Sequence, residues 1–194
     1  MNQEKLYQTP SQTVGPYFAY GLTPEQYLYN FPSIADGNMI INEAVKGERI
    51  TIAGQVYDGN GQLIPDAMIE LWQADAEGNY AKDLSLFHGF GRLGTGTLKD
   101  SKFEFSTIKP GPVGGQAPHI NVILFMRGQL THTYTRLYFS DETEANDSDP
   151  VLQSVEENRR NTLLATKTIR PDGVTCYVFN IYMQGPDETV FFDV

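Results

Sequence analysis

The feature that most constrains the fold of this chain is a two-residue alternation of apolar side chains in short runs. These runs lie at 49–58, 68–75, 102–109, 119–127, 133–139, 175–183 and 189–192. Alternation with a period of two is the pattern of a β-strand that buries one face. Turn-forming stretches separate the runs, among them DGNG at 58–61, KPGP at 109–112 and PDG at 171–173. Many short strands joined by turns predict an all-β fold with a β-sandwich core.

The composition favours one globular domain. Of 194 residues, 40% are hydrophobic and 12% aromatic, so the chain can bury a sizeable core. The formal charge of −10 argues against a nucleic-acid partner, because phosphate binding needs clustered cations. The single cysteine, Cys176, excludes an internal disulfide, and no apolar run approaches the length of a transmembrane helix. With no signal-peptide pattern at the N-terminus, we expect a cytoplasmic protein.

Two segments depart from the strand pattern. Residues 1–48 contain few periodic runs but are rich in turn formers and aromatics, as in TPSQTVGPYFAYG. An irregular segment so apolar is expected to dock on another surface, which leaves 49–194 as the β-sandwich domain. One short helix is predicted in the C-terminal half, from Pro150 to about Ala165, with Asp149 as its N-cap.

Three other stretches resemble functional motifs or stand out by charge. Residues 89–94 match the spacing G-x-G-x-x-G, but a dinucleotide site needs a helix after the glycines, and a turn and a strand follow here. We therefore interpret 89–94 as a flexible loop. Residues 58–61 begin like a calcium loop but lack its later glycine and carboxylate positions. The acidic run at 141–149 is interpreted as a solvated loop that leads to the helix cap.

The strand at 119–125 carries one candidate metal ligand and lacks a second. His119 and Asn121 point to the same side of the strand, because successive side chains alternate between faces. A His-x-His pair would offer two imidazoles to one metal ion, but the second position here is an amide. The remaining histidines, His88 and His132, are not spaced with His119 for chelation. Taken alone, each histidine is more often a structural residue than a ligand.

Three segments in this order, ELWQADAEGNY, STIKPGPVGG and APHINVILF, resemble the intradiol ring-cleavage dioxygenases. Further matches are TPSQTVGPYF, GQVYDGNG, TRLYF and ETVFFD, so the resemblance covers nearly the whole chain. It implies a β-sandwich fold, an Fe(III) cofactor and oxidative opening of a catechol ring between its two hydroxyls. In that family two tyrosines and two histidines hold the iron, and phenolates suit the ferric state because they are hard anionic donors.

Two of the four ligand positions implied by this resemblance are replaced. Tyr80 and His119 keep the family's residue types, whereas Val113 stands for the second tyrosine and Asn121 for the second histidine. Valine cannot coordinate a metal, and a neutral amide is a poor substitute for imidazole on ferric iron. We therefore expect no metal and no catalytic residue in this chain, and a vestigial pocket instead. As a hypothesis, Tyr80 and His119 hydrogen-bond one another across that pocket.

The replaced ligands are a mark of the alpha chains of two-chain family members. The resemblance then implies a hetero-oligomer of alpha and beta chains in equal number, with the iron on the beta chain and residues 1–48 docked on it. Gly15 and Tyr17 would line the beta-chain pocket, and Arg127 would bind the carboxylate of a small catechol acid. The implied reaction uses O2 to open 3,4-dihydroxybenzoate (protocatechuate) to 3-carboxy-cis,cis-muconate in aromatic catabolism, the beta-ketoadipate pathway.

Alternatives remain open at this stage. Gly15 and Tyr17 also fit a turn and an anchoring aromatic, and Arg127 also fits a solvated hairpin residue. Arg136 is a second candidate for the substrate contact, although its mid-strand position indicates a structural role. For the chain as a whole, a non-enzymatic prealbumin-like β-sandwich that binds or spaces is the alternative, since QVYDGNGQLIPDAMIELW also suits such a module.

Overall fold

The fold is built on a β-sheet, seen in a computed structural model that describes residues 20–80 and 85–193. The strands of the described part are β1 (Arg49–Tyr57), β2 (Met68–Trp72), β3 (Phe90–Gly94), β4 (Lys102–Ile108), β5 (His119–Phe125), β6 (Thr133–Phe139), β7 (Leu164–Ile169), β8 (Thr175–Val178) and β9 (Ile181–Tyr182). Short α-helices lie at α1 (Thr143–Ser148) and α2 (Pro150–Ser154), and 3-10 helices at Pro24–Tyr27, Lys99–Ser101 and Glu157–Leu163. Within this part of the chain, no helix is long and apolar enough to cross a membrane.

The strands follow one hydrogen-bonded path, in the order β3-β2-β5-β6-β7-β8-β1-β4, with β9 beside β1. Neighbours along the path are antiparallel except for β6 with β7 and β8 with β1, which are parallel. The two ends of the path come close together, as Gly91 in β3 and Phe105 in β4 show. A Cβ atom placed on Gly91 would lie 2.9 Å from the Phe105 ring. The all-β prediction is therefore confirmed in its coarse form, as a mostly-β fold with a nearly closed, barrel-like sheet.

The core lies on the inner side of this sheet, and β5 shows how the alternation creates it. Ile120, Val122 and Leu124 are buried in the main apolar cluster, whereas the side chains between them are partly exposed. Fully burying one such side chain stabilises the fold by about 1.5–3 kcal/mol. The opposite, outward face of β5 is free to carry polar residues, and His119 and Asn121 lie on it.

The helix predicted from Pro150 to about Ala165 is wrong beyond its first turn. α2 ends at Ser154, Val155 is extended (φ −82°, ψ 141°), and a 3-10 helix then leads into β7. The guanidinium of Arg160 donates to the backbone oxygens of Val155 and Gln153, which a continuing helix would have used itself. The N-cap prediction is confirmed, because the Asp149 carboxylate accepts hydrogen bonds from two backbone amides of α2.

Other local expectations also need correction. The acidic run at 141–149 contains α1, and 89–94 contains β3 where a flexible loop was expected. β3 forms because Gly91 lets Met39 and Phe105 approach its backbone, so the strand is covered on its inner side. The segment 164–169 is a strand that the apolar pattern did not indicate, and 189–192 contributes only one bridge, between Tyr134 and Phe192.

Residues 20–48 are irregular and pack on the sheet of their own chain. Met39 is fully buried in the core, and its amide donates to the carbonyl of Ser106 in β4. On the outside of the same segment, large apolar side chains face solvent: Leu28 is 93% exposed and Ile34 is 80% exposed. The expected docking of residues 1–48 on a partner chain stays a prediction.

Candidate functional site

The outer face of β2, β5 and β6 carries a row of aromatic and polar side chains. Trp72, Asn121 and Arg136 are direct partners across these three strands. Phe90 of β3 extends the row on the other side of Trp72. Residues directly opposite one another share a face, so these side chains lie together outside the core. The row includes Asn121, one of the four ligand positions inferred from the sequence.

Three of the four inferred ligand positions are close together. His119 and Asn121 lie on the same face of β5, and the Asn121 amide donates to the Tyr80 hydroxyl at 3.4 Å. The Tyr80 ring stacks on Trp72, with 5.9 Å between ring centroids. Val113 lies in the loop before β5, where its backbone pairs with that of Gln116. Its apolar side chain adds no donor atom to this site.

His119 keeps the orientation of a metal-binding histidine. Its Nδ1 lies 2.8 Å from the Ala117 carbonyl oxygen, and its ring packs 5.8 Å from that of Tyr138. Burial lowers the pKa of His119, and the nearby Arg136 cation acts in the same direction. The ring is therefore neutral at pH 7, with Nδ1–H donating to the carbonyl, and no described residue donates a hydrogen bond to Nε2. The hypothesised hydrogen bond between Tyr80 and His119 is not formed in the described structure.

Arg136 lies at the centre of the polar residues on this face. Its Nε donates to the Tyr134 hydroxyl at 3.1 Å, and its Nη1 donates to Gln116 Oε1 at 2.9 Å. A longer contact of 3.5 Å joins Nη1 to the Tyr138 hydroxyl. Burial by itself lowers the pKa of Arg136, but the hydrogen bonds with the two phenols outweigh it and raise the pKa. The site therefore contains a permanent organic cation.

Sequence reasoning treated Arg136 as a structural mid-strand residue and missed this position. The signal that could have found it is the alternation Tyr134-x-Arg136-x-Tyr138, which puts two phenols and a guanidinium on one face. Only the pairing of β6 with β5 shows that this face is the one that holds His119 and Asn121.

The network continues from Arg136 to both neighbouring strands. Tyr134 donates to Asn121 Oδ1 at 2.6 Å, so the oxygen and the nitrogen of this amide are both engaged. On the other side, the Tyr138 hydroxyl donates to the buried Asp149 carboxylate at 3.2 Å. Burial raises the pKa of Tyr138 to about 12, so the phenol stays protonated and can donate.

The residues at the four ligand positions do not fit a ferric ion. Val113 offers no donor atom, and Asn121 is already hydrogen-bonded through both ends of its amide. The guanidinium of Arg136 adds a positive charge beside the same positions, which repels a metal cation. Among the described residues, no group of three or more His, Cys, Asp or Glu side chains could hold a metal ion.

The inferred substrate-contact residues lie elsewhere. Arg127 follows β5 in the turn to β6, beyond the end of the strand opposite to His119, and β5 itself is about 20 Å long. Its Nε forms an ion pair with Asp66, and its side chain is 68% exposed. Arg127 is therefore not part of the site around Arg136. Gly15 and Tyr17 lie outside the described residues.

Comparison with known proteins places the chain in a family. A family described as dioxygenase matches residues 23–185, and the chain belongs to it. The chain is 49% identical to the protocatechuate 3,4-dioxygenase alpha chain of Burkholderia cepacia, over 97% of this chain and 98% of that relative. It is 44% identical to the alpha chain of the same name from Pseudomonas putida, over 98% of each.

More distant relatives agree with this assignment. The protocatechuate 3,4-dioxygenase beta chain of Burkholderia cepacia is 29% identical, over 78% of this chain and 71% of that relative. The structure of 3-chlorocatechol 1,2-dioxygenase from Rhodococcus opacus 1CP matches with a TM-score of 0.59 at 19% identity, over 79% of this chain and 68% of that chain. An intradiol ring-cleavage dioxygenase from Tetranychus urticae matches with a TM-score of 0.56 at 20% identity, over 91% and 94%. These two structures support the fold, and the resemblance inferred from the sequence is confirmed.

Proposed function

We propose that this chain is the alpha subunit of a protocatechuate 3,4-dioxygenase. The enzyme would use O2 to open 3,4-dihydroxybenzoate to 3-carboxy-cis,cis-muconate in aromatic catabolism. The observation that carries the proposal is the hydrogen-bonded network of Asn121, Tyr134 and Arg136 at the former ligand positions. This network occurs in a chain that is similar over its whole length to two alpha chains of that name.

The iron cofactor of the reaction is then expected on a partner beta chain. Support comes from the donor set of this chain, which does not fit ferric iron, and from its similarity to a separate protein named as a beta chain. We propose a hetero-oligomer of alpha and beta chains in equal number, with the vestigial site of this chain taking no part in the chemistry. A β-sandwich arrangement and a cytoplasmic location belong to the same proposal.

The surface near Arg127 supports a contact with the partner. Tyr27, Tyr20, Tyr29 and Phe31 form a run of neighbouring rings with centroids 4.7–5.9 Å apart. Of these, Tyr20, Tyr29 and Phe31 are 41–50% exposed. The pKa of Tyr27 is raised first by burial and then by the charge of Asp66, which is the ion-pair partner of Arg127. Tyr27 therefore lies close enough to the Arg127 turn to interact with its charges. Exposed apolar patches of this kind mark protein–protein interfaces.

Arg127 has the free donors that a substrate carboxylate needs. Its Nε is paired with Asp66, and its two terminal nitrogens have no partner among the described residues, so they can donate two parallel hydrogen bonds to a carboxylate. In the proposed complex, Arg127 lines the substrate pocket of the beta chain together with Gly15 and Tyr17. The role of this chain would be to orient the substrate by its carboxylate while the partner supplies the reacting centre.

Steady-state kinetics of the alpha–beta complex with Arg127→Ala test this role. Loss of a hydrogen-bonded charge costs about 1.5–3 kcal/mol, so kcat/KM for 3,4-dihydroxybenzoate should fall about 10- to 150-fold. Catechol, which lacks the carboxylate, should be turned over by both proteins with equal efficiency. Arg49→Ala, which removes a partly exposed arginine paired with the exposed Glu43, is the matched control and should behave as wild type. Equal kcat/KM values for 3,4-dihydroxybenzoate in wild type and Arg127→Ala would show that Arg127 does not bind the substrate carboxylate.

The non-enzymatic alternative has no observation in its favour. A prealbumin-like spacer shares the strand-rich fold, but the family match and the similarity to two alpha chains along their whole length both point to the dioxygenase subunit.

A further inference from the structure

Arg136 is a partly buried cation that has no carboxylate partner within the described structure. Its hydrogen bonds go to two phenols and an amide, all of them neutral. The ion pairs of the described residues involve other side chains: Arg92 and Arg170 are each paired with a glutamate. The partly buried Arg159 and Arg160 donate only to backbone carbonyls and an amide, and Arg136 differs from them in having aromatic side chains beside it on an outer sheet face. The charge of Arg136 therefore has no counter-anion among the residues that the structure describes, and it can accept one from a ligand.

The nearest buried carboxylate cannot serve as that anion. Asp149 is separated from Arg136 by Tyr138, whose hydroxyl contacts both of them. The oxygens of Asp149 are also occupied by three backbone amides, those of Ala117, Val151 and Leu152. Asp149 thus accepts hydrogen bonds from nearby backbone amides and from Tyr138, and it forms no ion pair with the Arg136 guanidinium.

Two donor groups remain free at this place. Arg136 Nη2 is not buried and makes no hydrogen bond to a described residue. Gln116 accepts from Arg136 through Oε1, and its own Nε2 makes no hydrogen bond to a residue in the described ranges. These two nitrogens belong to side chains that are hydrogen-bonded to one another, and a guanidinium and an amide nitrogen are both suited to the oxygens of a carboxylate.

An aromatic surface lies beside these donors. Trp72 stacks on Tyr80 with 12° between the rings, and the two residues are 43% and 37% exposed. Trp72 is two strands away from Arg136 in the same cross-strand row, a separation of about 10 Å. That span accommodates a carboxylate attached to one six-membered ring.

We infer that the row of Trp72, Asn121 and Arg136 is a binding site for a small aromatic carboxylate. The carboxylate lies on Arg136 Nη2 and Gln116 Nε2, and the ring packs against the exposed edges of Trp72 and Tyr80. Asn121, held through both ends of its amide, forms the floor between them. The site holds its ligand without cleaving it, because the donor set does not fit a metal. It is separate from the Arg127 surface, and it does not depend on the function proposed for that surface.

Equilibrium dialysis of radiolabelled benzoate against the alpha–beta complex tests the inference. At saturation, wild type should hold one equivalent of benzoate per alpha chain more than Arg136→Met. Arg49→Met, an arginine far from the row, should bind as wild type. Acetate and inorganic phosphate at equal concentration should displace this additional equivalent poorly, because neither offers a ring.

Trp72→Ala keeps the test valid if Arg136→Met fails to fold. Trp72 is on the surface, and loss of ring stacking should weaken binding of the additional benzoate about two- to tenfold. Equal numbers of bound benzoate in wild type and in folded Arg136→Met, or unchanged affinity in Trp72→Ala, overturn the site. Equal displacement by acetate or phosphate overturns the aromatic assignment. Turnover of 3,4-dihydroxybenzoate, measured on the same wild-type complex, reports separately on the proposed function.

Discussion

Replacing Asp149 should destabilise the fold more than any other single carboxylate change near the site. Asp149 is fully buried and accepts four hydrogen bonds, from the amides of Val151 and Leu152 at 2.9 and 2.7 Å, from Ala117 at 2.8 Å and from the Tyr138 hydroxyl at 3.2 Å. One side chain thus caps α2, anchors the segment that enters β5, and holds the phenol next to Arg136. The three elements depend on it jointly.

The expected magnitude follows from the donors left without an acceptor. Asp149→Ala leaves four donors without an acceptor, and each buried unsatisfied donor costs about 1–3 kcal/mol before the structure relaxes. With partial relaxation, we expect the free energy of unfolding to fall by about 4 kcal/mol, at the upper end for point mutations. Asp149→Asn keeps Oδ1 for the cap but turns an N–H towards the Ala117 amide, so it should cost roughly 2 kcal/mol.

Urea unfolding followed by Trp72 fluorescence measures this loss, since Trp72 is the only tryptophan. Asp147→Ala is the matched control, because Asp147 is an exposed acidic residue two positions earlier in the same acidic run. It should change stability by less than about 0.5 kcal/mol. If Asp149→Ala unfolds at the same urea concentration as this control, the reasoning about the shared cap is refuted.

Two further predictions concern charge and assembly. Burial alone raises the pKa of Asp141, but hydrogen bonds from Lys167, Tyr177 and Lys109 outweigh it and lower the pKa to about 2. A lowered carboxyl pKa stabilises the fold above the unfolded value of 3.8 and loses this effect as the pH falls through about 2. Asp141→Asn should therefore lower the free energy of unfolding by about 1 kcal/mol at pH 7, since solvent screens this largely exposed group, and by less at pH 2, where the carboxylate is about half protonated; an equal loss at both pH values would contradict the assignment. Leu28→Asp, at a residue that is 93% exposed, should leave the unfolding of the chain unchanged but weaken its co-purification with the beta chain at least tenfold. Undiminished co-purification would show that the region around Leu28 is not part of the interface with the beta chain.

The alternation of apolar residues was sufficient to predict most of the strands. It failed for β3 and β7, and for different reasons. In β3, glycines take the place of side chains because Met39 and Phe105 pack directly against the strand, so the sequence shows no apolar alternation. β7 is partly exposed along much of its length, and only Ala165 is fully buried in it, so its pattern is weak.

The helix at 150–165 shows the limit of local signals. The cap at Asp149 and Pro150 was read correctly, because capping depends on residues adjacent in sequence. Where the helix ends depends on Arg160, whose side chain folds back onto the carbonyls of Gln153 and Val155. Such a contact is formed in three dimensions and leaves no periodic pattern.

The sequence indicated which residues to look for in the candidate site, but it did not show the hydrogen-bonded network around Arg136. The resemblance to the family implied His119, Asn121, Tyr80 and Val113, and three of these are close together in the structure. The role of Arg136 depends on the register between β5 and β6, which no single strand reveals. A shift of one residue would have turned Arg136 towards the core.

The central claim is that this chain contributes to a dioxygenase without holding its iron. Metal analysis of the purified alpha–beta complex tests it most directly, comparing wild type with His119→Ala in this chain. We expect one iron per alpha–beta pair in both proteins, because the hydrogen-bond partner of His119 among the described residues is the Ala117 carbonyl and its ring lies near the Arg136 cation. Two irons per pair in wild type, falling to one in His119→Ala, would contradict it.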